Sequence, residues 1–141
     1  MSVEAVATRA QAQVEEAIDR LCSYLRYPAI SCDPDHAPDV RALAARITQD
    51  LSEIGLDRAR VIELPNALPI VAAEWLHAPG RPTLLIYGHM DLQPVKGEIW
   101  RTPPHEPTRI GERLYARGAA DDMGGWAILL TKDIVNLTHL K

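Results

Sequence analysis

The sequence predicts an α/β fold in which helices cover a sheet on both faces. Three observations carry that expectation. Apolar residues recur at helical spacing over two early stretches, Val14 to Leu25 and Val40 to Ile54. Later, Leu84-Leu85-Ile86-Tyr87 is apolar at every position, the pattern of a strand covered on both sides rather than one. That run ends in Gly88-His89-Met90-Asp91, so the predicted strand delivers an imidazole and a carboxylate at its end.

The 141 residues suit one domain of ordinary size. A hydrophobic content of 47% beside 24% charged residues is that of a chain able to form a core rather than a disordered one. The net charge of −4 argues against nucleic acid as a partner. No apolar run approaches the ~20 residues that cross a bilayer, which argues against a membrane partner. The N-terminus shows no basic region followed by an apolar one, so the expectation is a cytoplasmic protein, with Cys22 and Cys32 as free thiols.

Taken in order, Val14, Ala17, Ile18, Leu21 and Leu25 mark one helix face, which Val3, Val6 and Ala10 extend toward a fraying N-terminus. Pro28 ends this helix because it lacks an N–H and disfavours helical geometry at Tyr27. A loop follows through Asp33-Pro34-Asp35-His36. Asp39 is the expected cap of a second helix with the stripe Val40, Leu43, Ala44, Ile47, Leu51 and Ile54, stopped by Gly55 in a left-handed conformation. Strands are expected at Arg60-Val61-Ile62-Glu63-Leu64, at Ile70 to Leu76, at Thr83-Leu84-Leu85-Ile86-Tyr87 and at Arg113-Leu114-Tyr115. Between Asp91 and Glu112 the prolines and glycines predict a loop anchored by Trp100. A helix containing Trp126, Ala127, Leu129, Leu130, Asp133 and Ile134 starts near Asp121 or Asp122.

Two short motifs carry the chemistry, and each has an ordinary alternative. In an extended segment, residues i and i+2 face one way, so His89 and Asp91 can share a pocket, with His89 as metal ligand and Asp91 as the group that orients it. The same tripeptide also suits a simple loop hydrogen-bond pair. Asp121-Asp122 at a helix start can cap that helix, or can aim a carboxylate at the strand ends, where its two oxygens could bridge two cations.

In combination these motifs are specific. Gly88-His89-Met90-Asp91-Leu92-Gln93-Pro94, Trp100, Pro103-Pro104, Glu106-Pro107, and the run from Arg113 through Arg117-Gly118-Ala119-Ala120-Asp121-Asp122-Met123-Gly124-Gly125 resemble the dinuclear zinc metallopeptidase family of carnosinase-type dipeptidases, glutamate carboxypeptidase, acetylornithine deacetylase and succinyl-diaminopimelate desuccinylase. The resemblance implies a three-layer αβα zinc-exopeptidase-like catalytic domain, truncated after its early strands, with residues 1–141 forming its N-terminal part and the dimerisation or lid domain absent. It implies that His89 ligates one metal, that Asp121 bridges two, that Asp91 is the catalytic carboxylate behind His89, and that the Asp121-Asp122 bond is cis. The metals would be Zn2+, with Mn2+ or Co2+ as variants. The reaction would be hydrolysis of a peptide or amide bond in a dipeptide or acyl-amino-acid substrate, and the parent enzyme would be a homodimer.

The family's adjacent Glu-Glu pair, one general base and one ligand, has no counterpart among the twenty residues after Asp121, and neither has its final His ligand. The expectation is therefore weak zinc binding and no useful hydrolysis by this chain. Alternatives are a non-catalytic binding or regulatory module, or the product of a broken gene. Ala116, Met123 and His105 depart from the family's usual glycine, lysine and aromatic residue without touching a ligand position. His36, His77, His105 and His139 read as solvated surface residues. Asn136-Leu137-Thr138 fits a glycosylation sequon, taken here as coincidence.

Overall fold

The structure is a computed structural model that describes residues 2–130. The expectations at Asp133, Ile134, His139 and the sequon at Asn136 lie outside the described residues. The elements run α1 (Val3–Ala12), α2 (Val14–Leu25), a 3₁₀ turn (Pro34–His36), α3 (Ala37–Glu53), β1 (Asp57–Ile62), β2 (Ile70–Glu74), β3 (Thr108–Ile110), β4 (Arg113–Tyr115) and α4 (Met123–Ala127).

The two predicted helices form, and they build the core. α2 buries Ala17, Leu21, Tyr24 and Leu25, while α3 buries Val40, Leu43, Ala44, Ile47 and Leu51. Leu21, Tyr24 and Leu25 of α2 and Val40, Leu43, Ile47 and Leu51 of α3 join Ala29, Ile30, Leu92, Met123, Ala127 and Leu130 in a single cluster. α1 is a separate helix rather than an extension of α2. Gln13 breaks the two, and α1 buries no residue. Pro28 follows the end of α2 as expected, and the chain then turns through hydrogen bonds from Ala29 N–H to Tyr27 O and from Ile30 N–H to Pro28 O.

Asp39 is not the cap of α3. The helix begins at Ala37 after His36, with Pro38 in its first turn, and the Asp39 carboxylate pairs instead with His36 Nδ1 at 2.8 Å. Proline suits that place because its missing N–H has no helical partner to lose there. Gly55 closes the helix at φ 97°, as its lack of a Cβ permits. β1 and β2 pair antiparallel from Asp57↔Glu74 to Ile62↔Ile70, and α3 packs on this ribbon. β1 starts three residues before its predicted position.

The loop expected between Asp91 and Glu112 contains a strand at its end. β3 pairs antiparallel with β4, from Thr108↔Tyr115 to Ile110↔Arg113, making a short hairpin. Three residues with one apolar member gave too little alternation to reveal β3 beforehand.

The largest departure is at residues 83–87. Among the described residues this run forms no ladder, and Leu84, Leu85 and Tyr87 are 82%, 88% and 84% exposed. An apolar run of this kind is buried only where neighbouring strands and helices cover both its faces, and none of the described elements does so. Order returns just beyond it. Leu92 N–H donates to Ala29 O at 2.9 Å, and Ile30 and Leu92 form a parallel bridge that ties the segment to the end of α2.

Candidate metal-binding half-site

His89 sits where the exposed run meets the core, and both its backbone polar groups are held. Its N–H donates to Asp122 Oδ2 at 3.1 Å, and its carbonyl accepts from Trp126 Nε1–H at 2.9 Å. Asp122 lies at the start of α4 and Trp126 within it. Asp122 occupies the N-cap position without making a side-chain cap bond, so its carboxylate serves the neighbouring segment rather than its own helix. The simple capping reading of Asp122 is thereby corrected.

The imidazole is held in a defined orientation. Its Nδ1 lies 3.2 Å from Asp91 Oδ1 and 3.2 Å from the Asp91 carbonyl, and its Nε2 lies 3.2 Å from Asp121 Oδ1. Asp91 is itself fixed by Ser31, whose hydroxyl donates to Oδ2 at 2.5 Å. Sequence reasoning missed Ser31 because it lies sixty residues away on the loop after α2. The structure thus brings His89, Asp91 and Asp121 together, and the Asp121-Asp122 bond is cis.

Burial lowers the pKa of His89, but the carbonyl and carboxylate of Asp91, with Asp121 and Asp122, outweigh it and raise the pKa above its ordinary value. The His89 side chain is 38% exposed and that of Asp121 75%, so the Nε2 side opens to solvent while the Nδ1 side faces protein. This is the arrangement in which one ring nitrogen is occupied by an orienting acceptor and the other is presented for ligation.

Whether these residues suit a zinc ion can be asked of the donors alone. Two ligands each ~2.0 to 2.1 Å from a tetrahedral zinc stand ~3.3 Å apart, close to the 3.2 Å that separates His89 Nε2 from Asp121 Oδ1. An imidazole and a carboxylate are also the right donor types. They amount to two ligands, however, and among the described residues no group of three or more His, Cys, Asp or Glu is arranged to hold a metal. The residues fit part of a metal site.

The other histidines among the described residues take no part. His36 pairs with Asp39, and His77 Nε2 lies 2.5 Å from Asp57 Oδ2 on the surface. His105 is not a solvated loop residue. Both its ring nitrogens are buried without a hydrogen-bond partner, and burial, with His36 and Arg117 adding and Asp39 opposing, pushes its pKa down. The loop around it is pinned by Arg117, which bonds the Pro94 carbonyl at 3.1 Å, pairs with Glu98 and lies 4.8 Å over the Trp100 ring. Arg117 escaped the sequence reading as an anchor, although its place just before Gly118 and the Asp pair was the available signal. Cys22 and Cys32 are free thiols.

An imidazole backed by one carboxylate and facing another is a donor arrangement that a metal ion can use. Residues 85–132 match peptidase family M20/M25/M40. The chain is 31% identical over 126 residues to a Cys-Gly metallodipeptidase of Candida albicans, covering 77% of this chain and 26% of that protein. It is 36% identical over 90 residues to a rat Beta-Ala-His dipeptidase, covering 62% of this chain and 18% of the relative. A succinyl-diaminopimelate desuccinylase of Colwellia psychrerythraea shares 50% identity over 44 residues, which is 30% of this chain and 11% of that enzyme.

Among solved structures, a dipeptidase of Saccharomyces cerevisiae, Dug1p, superposes with a TM-score of 0.83 at 23% identity, over 99% of this chain and 32% of that one. Human carnosine dipeptidase 1 gives 0.76 at 24% identity, over 92% and 30%. The resemblance to this metallopeptidase family is thus shown, and the chain follows the dipeptidase fold over most of its length. It spans about a quarter of the length of the Candida relative and less of the rat enzyme. No helix among the described residues is long and apolar enough to cross a membrane.

Proposed function

We propose that this chain supplies the N-terminal half of the metal site of a metal-dependent peptide or amide hydrolase, with dipeptides or acyl-amino acids as the substrate class. The observation that carries the reading is the approach of His89 Nε2 to Asp121 Oδ1 at 3.2 Å, with Asp91 occupying Nδ1. Its relatives by sequence are named as dipeptidases and a desuccinylase, which supports the substrate class.

In this reading His89 and Asp121 are metal ligands, and Asp91 is the catalytic-site carboxylate that holds the imidazole in the tautomer with Nδ1 protonated and Nε2 free. Ser31 keeps Asp91 turned toward the ring. Asp122 accepts from the backbone N–H of His89. A bound divalent cation, zinc above manganese or cobalt, would supply Lewis acidity toward the scissile carbonyl and a water of lowered pKa. Among the described residues no carboxylate beyond these is positioned near His89 as a general base, and proton removal from a nucleophilic water needs one within hydrogen-bond reach. The chain alone is therefore expected to bind zinc weakly and to hydrolyse nothing at a useful rate.

Further parts of the proposal are that residues 1–141 form the N-terminal portion of one catalytic domain, that the protein works in the cytoplasm, and that the complete enzyme is a homodimer. The purified chain should release no amino acids from a panel of dipeptides in the presence of Zn2+, Mn2+ or Co2+. Release that a chelator abolishes would show that the chain holds a complete site and would overturn this part of the account. The exposed apolar run at residues 84–87 favours a second reading, a non-catalytic module that docks a partner. A cooperative thermal transition in a monodisperse sample would support it, and aggregation would count against it.

A further inference from the structure

Behind His89 stands a side chain to which the metal-site reading gives no role beyond a single hydrogen bond. Trp126 projects from α4, its Nε1–H donates to the His89 carbonyl, and its ring occupies the space that a side chain on Gly88 would need. A Cβ there would stand 2.6 Å from Trp126 Cγ. The residue before His89 therefore has to be glycine for the indole to lie against the backbone. Tyr24 of α2 stacks on the indole, with ring centroids 5.7 Å apart and planes 23° from parallel. Tyr24 is fully buried, and its hydroxyl donates to Asp50 Oδ2 at 2.6 Å. Asp50 in turn accepts from Arg46 Nε at 3.1 Å to each carboxylate oxygen.

These contacts form one line from α3 to the half-site: Arg46, Asp50, Tyr24, Trp126, His89. Among the described residues, the indole N–H is spent on the carbonyl of the residue whose ring faces Asp121. A tryptophan serving only as core filling would satisfy its N–H equally well in water, since the side chain is only partly buried. We propose that Trp126 is a positioning residue for His89, fixed in its own rotamer by Tyr24 and Asp50, and that it sets the placement at which imidazole Nε2 meets Asp121. The proposal rests on the reading of His89 and Asp121 as metal ligands. Ligand side chains act at tolerances of a few tenths of an ångström, and supporting residues commonly change metal affinity by 10- to 100-fold.

The test uses the full chain and two readouts. Trp126→Phe keeps an aromatic ring against Tyr24 and removes the N–H. In the metal-free protein, the His89 ring-nitrogen and backbone-amide resonances are expected to shift, and zinc affinity measured by competition with a chromophoric chelator is expected to fall about 10-fold, with the urea midpoint changed little. Should Trp126→Phe fail to fold, β-(3-benzothienyl)alanine at position 126 preserves the bicyclic shape, deletes only the N–H, and should give the same two changes. His89 resonances and zinc affinity that both stay at wild-type values in a folded variant overturn the positioning role. Zinc affinity that survives His89→Ala overturns the ligand reading instead, and the metal-free resonances tell the two failures apart.

Discussion

The helical frame and the segment that carries His89 are built on opposite terms. In α2 and α3, Tyr24, Leu25, Leu43 and Ala44 are wholly buried, and residues of both stripes belong to one cluster. Residues 84–87 are as apolar but lie in solvent. The difference is one of partners rather than of composition. A helix stripe needs one facing surface, which α2 finds in α4 and α3 in the β1–β2 ribbon, whereas a strand run covered on both faces needs neighbours on two sides and a ladder at each edge. The half-site sits on the boundary between these regions, held from the ordered side by Trp126, Asp122 and Ser31.

Perturbing each region should separate them by size of effect. Leu43→Ala, at a fully buried position, is expected to cost about 2 to 5 kcal/mol in urea unfolding. A cost below ~1 kcal/mol would mean that the frame is not the stabilising unit. Asp50→Ala leaves the buried Tyr24 hydroxyl unpaired and is expected to cost about 1 to 3 kcal/mol by the same measurement. Tyr24→Phe/Asp50→Ala, which removes both polar partners, should recover part of that loss.

The loop beside the half-site should respond to acid. Because the pKa of His105 is depressed in the folded chain, its contribution to stability is complete above the free imidazole value of ~6.5 and is lost as pH falls below it toward the depressed folded value. His105→Phe should flatten the thermal midpoint between pH 7 and 5, and an unchanged slope would exclude His105 as its source. Smallest of all, Leu85→Lys in the exposed run should leave stability within ~0.5 kcal/mol while raising solubility. A large loss there would show that the run is packed in solution and would collapse the contrast between the two regions.

Much of this was legible in the residues. The 3.6-residue spacing of Leu21 and Leu25 and of Leu43, Ile47 and Leu51 revealed both core helices, because burial on one face leaves a periodic trace. His89 and Asp121 were found because their flanking motifs are specific in combination. The supports were not legible: Ser31, Asp50 and Trp126 act across long sequence separations on a single atom each, and no local period records such a contact. Asp50 offered a hint, as a carboxylate three residues after Ile47 on an apolar face. The burial of residues 83–87 was misjudged because an apolar pattern states what a segment requires and not whether the described chain supplies it.

The most direct test of the central claim is a calorimetric titration of Zn2+ into the purified chain, with His89→Ala and Asp121→Ala alongside. The account predicts one weak site in the native chain, lost in each variant while circular dichroism stays unchanged. Zinc binding of native affinity in both variants would contradict it.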